Sequence, residues 1–213
     1  MKIIIVILLL LSNIINVYAQ ESRKSESIEI PFSVFNKVED SPEIFKLKYS
    51  HMANFIVSIK NELIYKENND AKAVIRLGDS EDDKIIELMM YSTKRLIVSI
   101  FTSSTGYFKL HDSENGWFSD RAVVVSFVQN DKLSMHNGQR NIMDRLSIKE
   151  FTLDTLEVYG KDSIDSLDNT IGGRVVIDIL SGNPLDNPIS FMPAVVVIIV
   201  GVIIALLIKT KKR

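Results

Sequence analysis

Short runs in which apolar and polar residues take turns recur along this chain, and no stretch holds a helical period over three turns. Residues 132–136 read K-L-S-M-H and residues 145–149 read R-L-S-I-K, each alternating residue by residue. A period of two sends successive side chains to opposite faces of a strand, so one face can be buried and the other wetted. On this pattern, and on enrichment in Val, Ile, Phe and Tyr, strands are expected at 28–34, 44–49, 54–60, 71–77, 84–91, 95–101, 122–128, 132–136, 145–151, 155–159 and 174–180. Asn130-Asp131 and Asn137-Gly138 read as tight hairpin turns between such runs. Many short strands at this spacing imply an all-β, two-sheet, jelly-roll-like sandwich.

The two ends follow other rules. Lys2 precedes about ten apolar residues, a polar patch with Ser12, Asn13 and Asn16, and then Val17-Tyr18-Ala19. That order matches a secretory signal peptide over 1–19, cleaved after Ala19. Phe191 to Ile208 carries no charge and no polar face. As a helix it would span roughly 27 Å, enough for a thin bilayer core. Pro193 falls in its first turn, where a missing N–H costs nothing. The expected organisation is a luminal or extracellular sandwich over 20–180, a stalk at 181–190 with Gly182, Pro184 and Pro188, one transmembrane helix at 191–208, and a cytoplasmic basic tail at 209–213. This is a single-pass, type I arrangement in the membrane.

The tail reads K-T-K-K-R. Lys211 is third from the end and Lys209 fifth, which resembles a dilysine-type retrieval signal of the endoplasmic reticulum. The resemblance implies coatomer as a partner and the endoplasmic reticulum or early Golgi as the location. Simple anchoring by positive residues is the alternative, with the plasma membrane as its location.

Charge and composition narrow the function of the middle. All 27 acidic residues but only 20 of the 25 basic ones lie between the two apolar ends, a net charge of −7 there. An acidic domain is a poor partner for nucleic acid. The absence of cysteine excludes a thiol nucleophile, a thiolate metal site and a disulfide framework. No Asn-X-Ser/Thr sequon occurs.

The stretch K-E-N-N-D-A-K-A-V-I-R-L at 66–77, the acidic turn after it and K-I-I-E-L resemble a strand pair of the farnesoic acid O-methyltransferase-like domain. The stretch R-A-V-V-V-S-F-V-Q-N-D-K-L-S-M-H-N-G-Q at 121–139 is similar to that family's later hairpin. The resemblance covers about residues 54–165. It departs from the family where M-M-Y-S-T-K replaces a Gly-Trp pair, and where Val and Phe replace a tryptophan-rich strand. Despite its name, the resemblance implies a β-sandwich binding module, and no glycine-rich cofactor loop is present.

Candidate chemistry concentrates in one segment. Residues 106–121, read as a loop, hold the only tryptophan, Trp117, beside Phe118, with Tyr107, Asp112, Glu114 and Asn115 near it. Trp117 and Phe118 read first as anchors of the loop in the core and second as a stacking platform for a sugar or peptide. On the second reading the ligand-binding residues are Trp117, Tyr107, Asp112 and Asn115. Asn68, Asn69 and Asp70 read as turn formers. Asp79, Glu81, Asp82 and Asp83 read as an acidic turn rather than a calcium loop. His51, His111 and His136 lack partners at zinc spacing, and no nucleophile-elbow pattern occurs. The expectation is therefore no enzyme, no metal and no cofactor. The chain reads as a non-catalytic luminal binding module for a glycan or client protein. Its alternatives are a structural subunit or cargo receptor, and a cell-surface adhesion or receptor protein.

Overall fold

The computed structural model describes residues 24–49, 52–79, 83–128, 132–148, 151–164 and 167–181. The signal peptide, membrane-span and tail assignments fall outside them, as do the stalk after Ser181, which itself ends a strand, His51 and the Asn130-Asp131 turn. Among the described residues no helix is long and apolar enough to cross a membrane.

Among the described residues there are fourteen strands and one short 3-10 helix. The strands are β1 (Lys24–Pro31), β2 (Glu43–Lys46), β3 (Phe55–Asn61), β4 (Ile64–Tyr65), β5 (Lys72–Asp79), β6 (Lys84–Tyr91) and β7 (Leu96–Thr102). They continue as β8 (Gly106–Ser113), β9 (Val123–Val128), β10 (Lys132–His136), β11 (Asn141–Ser147), β12 (Thr155–Tyr159), β13 (Thr170–Gly172) and β14 (Arg174–Ser181). The first sheet has the order β1-β14-β3-β9-β10-β11 and the second β2-β12-β5-β6-β7-β8; β13 and β4 form a small two-stranded ladder. Every ladder is antiparallel. Non-sequential neighbours such as β14 between β1 and β3 are the crossings of a jelly-roll-like sandwich.

Period two decides what is buried. In β3, Phe55, Val57 and Ile59 turn inward; in β6, Ile86, Leu88 and Met90 do so; in β9, Val123, Val125 and Phe127. These alternate residues from both sheets share one apolar core. At one end of it Phe55 and Phe127 stack at 5.5 Å, with Phe151 against both. At the other end Trp117 and Tyr65 meet at 6.5 Å. β14 runs from the Trp117 end, where Val175 pairs with Asn61, to the Phe55 end, where Ser181 pairs with Phe55 and Lys24. The first and last described residues thus lie side by side at the end remote from Trp117.

Three expectations need correction. The strand expected at 28–34 stops at Pro31, because Phe32–Asn36 winds into the 3-10 helix that buries Phe35. The strand expected at 145–151 is β11 (Asn141–Ser147), entered earlier and irregular in register, with Arg145 at a φ of 50°. The segment read as a loop at 106–121 begins as β8, an edge strand whose ladder with β7 shifts register between Val98 and Ser99. The Asn137-Gly138 turn is present between β10 and β11, with Gly138 at a φ of 86° as such a turn requires.

Candidate functional site

Three turns converge at the Trp117 end of the second sheet: 66–71 before β5, 92–95 between β6 and β7, and 114–117 after β8. Backbone bonds tie them together. Ser92 donates its N–H to the Ala71 carbonyl at 2.8 Å and its hydroxyl to the Asn68 carbonyl at 2.7 Å. The N–H groups of Gly116 and Trp117 both donate to the Lys94 carbonyl, at 2.8 and 3.4 Å. Lys94 and Asn115 take the left-handed backbone angles that these tight turns impose, φ 70° and 53°. Gly116 is required by close approach, since a Cβ there would lie 2.5 Å from Leu96 Cβ. Asn137 reaches across from the first sheet, and its buried amide donates to the Gly116 carbonyl at 3.1 Å.

Trp117 is the peg beneath these turns. It is fully buried, and its Nε1–H donates to the Tyr91 carbonyl at 3.0 Å. The Lys94 ammonium sits 3.7 Å above the ring, and burial lowers its pKa. Trp117 therefore serves the core, and its ring offers no open face to a ligand. Phe118 is half-buried beside it.

Above the peg lies a cleft of about 520 Å³, lined by Asn69, Asp70, Tyr91, Thr93, Arg95, Glu114 and Asn115. That size falls within the range of small-ligand sites, but the lining is polar where most such sites are apolar. Arg95 is held by Asp112, Nε to Oδ1 and Nη2 to Oδ2, both at 2.7 Å. Lys109 Nζ binds Asp112 Oδ2 at 2.8 Å. The Arg95 and Lys109 hydrogen bonds hold the Asp112 carboxyl far below the usual range, and Asp112 in turn raises the Arg95 pKa. The guanidinium lies 5.8 Å from the Tyr91 ring. Asn68 Oδ1 accepts the Asp70 N–H at 2.9 Å, which fixes the turn and leaves Asn69 and Asp70 at its tip. Among the described residues, the side chains of Asn69, Asp70, Thr93, Glu114 and Asn115 hold no hydrogen bond.

The four residues read from the sequence part company here. Asn115 lines the cleft. Asp112 braces it through Arg95, and Trp117 lies under it. Tyr107 sits at the far end of β8, half-exposed, packed on Phe101 at 5.0 Å. Six residues of strand, roughly 20 Å, separate it from Ser113. Tyr91, Thr93 and Arg95 escaped the reading, because the order Y-S-T-K-R has only the look of a polar hairpin turn. Register alone brings that turn beside Asn115.

Two of the remaining polar candidates, Asp79 and His136, are occupied. Asp79 is buried and accepts the Thr152 N–H at 2.8 Å. His136 Nδ1 accepts the Gly138 N–H at 2.9 Å. No cluster of metal-ligating side chains occurs among the described residues.

No protein-family model matches the chain, that of the farnesoic acid O-methyltransferase-like domain included, and no curated protein sequence matches it. Solved structures do. A β-fructofuranosidase from Schwanniomyces occidentalis complexed with fructosyl-erythritol matches with a TM-score of 0.50 at 9% identity, over 75% of this chain and 33% of that one. A legume lectin-like domain from Entamoeba histolytica matches with a TM-score of 0.47 at 14% identity, over 76% and 91% of the two chains. Sheep galectin-11 in complex with glycerol matches with a TM-score of 0.44 at 10% identity, over 64% and 97%. The chain spans about a third of the fructofuranosidase it matches.

Proposed function

Starting from the β-sandwich that the fructofuranosidase match shows, and from nothing else about that enzyme, we propose that this chain is a non-catalytic glycan-binding module. The observation that carries this reading is the cleft. Two amides, a hydroxyl, two carboxylates and a braced guanidinium converge on about 520 Å³, and the fold uses few of them. Sugars present alternating donors and acceptors. Asn side chains supply both, carboxylates accept, and Arg donates. The turns that hold these groups are pinned to one another and to Trp117, so little ordering remains to oppose binding.

The same proposal sets the module on a single-pass, type I membrane protein of the early secretory pathway. It rests on the apolar stretches at the two ends, on the dilysine-like Lys209 and Lys211, and on coatomer as the reader of that tail. β14 leads from the cleft end to Ser181, the last described residue, at the other end.

A second reading, capture of a client protein or assembly into a membrane complex, is favoured by Ile164, Leu167, Ile171 and Ile64, which are exposed by 92, 76, 56 and 57%. The deciding experiment is a glycan array probed with the full-length protein in mild detergent, beside the Asn69→Ala, Asn115→Gly variant. Glycan binding that disappears in the variant supports the module. Failure to bind any glycan, together with stoichiometric co-purification of a protein, replaces it with the second reading. Location is tested with a luminally tagged chain carrying Lys209→Ser and Lys211→Ser. Movement from the endoplasmic reticulum to the surface supports retrieval, and an unchanged surface location refutes it.

A further inference from the structure

We infer that the cleft takes neutral, hydroxyl-rich sugars and discriminates against sugars bearing a carboxylate, sulfate or phosphate. This deepens the glycan-binding reading and rests on it. Three charged side chains line the cleft: Asp70, Glu114 and Arg95. The one cation is already answered within the fold. Arg95 meets both oxygens of Asp112 at 2.7 Å, in the side-on geometry that matches guanidinium to carboxylate. An anionic ligand would have to compete for that charge with a carboxylate fixed in place by a second cation, Lys109 at 2.8 Å. Asp70 and Glu114 are less fully answered: neither side chain forms a hydrogen bond or ion pair with a described residue, and Glu114 acts on Arg95 only through its charge at longer range.

The difference in pairing sets the selectivity. An anionic group entering the cleft meets two carboxylates that no hydrogen bond occupies and a guanidinium whose field Asp112, and to a lesser extent Glu114, offsets. Sugar hydroxyls meet the opposite situation. They donate to Asp70 and Glu114, and they accept from Asn69, Asn115 and the Arg95 N–H groups that Asp112 leaves unused. The Nε and one Nη2 hydrogen are engaged, so the Nη1 pair and the second Nη2 hydrogen are the ones left over. Both carboxylates are exposed. Each then acts with the strength of a solvated charge, and together they bias the affinity by about tenfold, less in salt.

The test titrates the full-length protein in mild detergent with neutral oligosaccharides and with counterparts of the same size that carry uronic acid, sialic acid or sulfate. The expected result is binding of at least one neutral class, about tenfold weaker binding of its acidic counterpart, and a gap that narrows at high salt. The Asp70→Asn, Glu114→Gln variant keeps the shape of both side chains and removes both charges. It should narrow the same gap, while an unchanged thermal melt shows that its fold is intact. Acidic sugars binding as well as or better than neutral ones would overturn the selectivity and leave the glycan-binding reading standing. Wild-type protein that binds neither class, with a normal melt, would remove that reading and this inference with it.

Discussion

Arg76, inside the second sheet, and Arg95, in the turn that enters β7 of the same sheet, each meet a carboxylate at 2.7 Å, yet they do different work. Arg76 lies in the middle of β5, on the outer face of the second sheet. The register sets it in one row with Glu157 of β12, Glu87 of β6, Ser99 of β7 and Lys109 of β8. Its Nε binds Glu87 Oε2 at 2.7 Å, its Nη2 binds Glu39 Oε1 at 2.5 Å, and Glu157 stands 4.0 Å from Nη1. The Tyr159 ring covers the guanidinium at 4.7 Å, and the Tyr159 hydroxyl donates to Glu87 at 3.3 Å. The Arg76 side chain is 9% exposed and that of Arg95 42%. Burial works against the Arg76 charge, and the bonds to Glu87 and Glu39 more than offset it, so its pKa is raised. Burial, then Glu87, pushes the Tyr159 hydroxyl up as well. Each guanidinium bonds through Nε and Nη2, so burial and not the number of bonds separates them: the buried row holds strands in register, while the exposed pair leaves its remaining N–H groups open to solvent.

If burial is what separates the two arginines, stability should fail at one and binding at the other. Arg76→Ala leaves Glu87, 4% exposed, without its main partner, and should cost about 3–5 kcal/mol in denaturant unfolding. Wild-type glycan affinity in the fraction that stays folded would keep the comparison intact. Trp117→Phe keeps the bulk of the peg and removes one of two N–H groups on the Tyr91 carbonyl, which the Lys94 N–H still bonds at 2.9 Å, for a loss of about 0.5–1.5 kcal/mol and a weaker cleft. In Asn69→Ala with Asn115→Gly, the glycine preserves the left-handed angle, so stability should move by less than about 0.5 kcal/mol while glycan affinity falls about tenfold. A large stability loss in that variant would mean that the cleft is structural after all. Asp112→Asn should lower stability by under about 1 kcal/mol, because the pair is exposed, and should weaken binding by freeing Arg95 to move.

The smallest effect is one of pH. Burial first, and Arg140 second, lower the His111 pKa, and among the described residues its Nε2 is a buried atom without a hydrogen bond. Asp112 acts in the opposite sense on it. Between the folded value and the ordinary value near 6.5, the unfolded chain binds more protons, so stability rises with pH. The contribution is full above about 6.5 and is lost as pH falls through the lowered value. Asp112 adds a second loss, beginning below about 4, where an unfolded carboxylate takes up a proton that the Arg95 pair resists. Denaturant midpoints from pH 7 downwards should show the first fall in wild type and a smaller one in His111→Phe.

Several strands were legible to the residue. β6 (Lys84–Tyr91), β10 (Lys132–His136) and β12 (Thr155–Tyr159) begin and end where alternation does, since one face of each is packed on the core. β8 was not legible. Its bulge sets Leu110 and His111 side by side, and Tyr107 and Phe108 are adjacent aromatics that both stay exposed, so alternation is lost. β4 and β13, with two and three residues, are too short to show a period. In the cleft, Asn115 and its neighbour Glu114 were legible as polar loop residues. Arg95, seventeen residues before the Asp112 that holds it, was not.

By itself the sequence determined the all-β class, the approximate strands and the charge-free apolar runs near the two ends, because those depend on the order of residue types along a few neighbouring positions. Only the tertiary structure decided that Trp117 would be a peg and not a platform, that Tyr107 would lie a strand's length from Asn115, and that Arg76 would be buried and Arg95 exposed. Each of those outcomes is a pairing between residues far apart in the chain. The register of antiparallel ladders sets such pairings, and a shift of one residue turns every side chain to the other face.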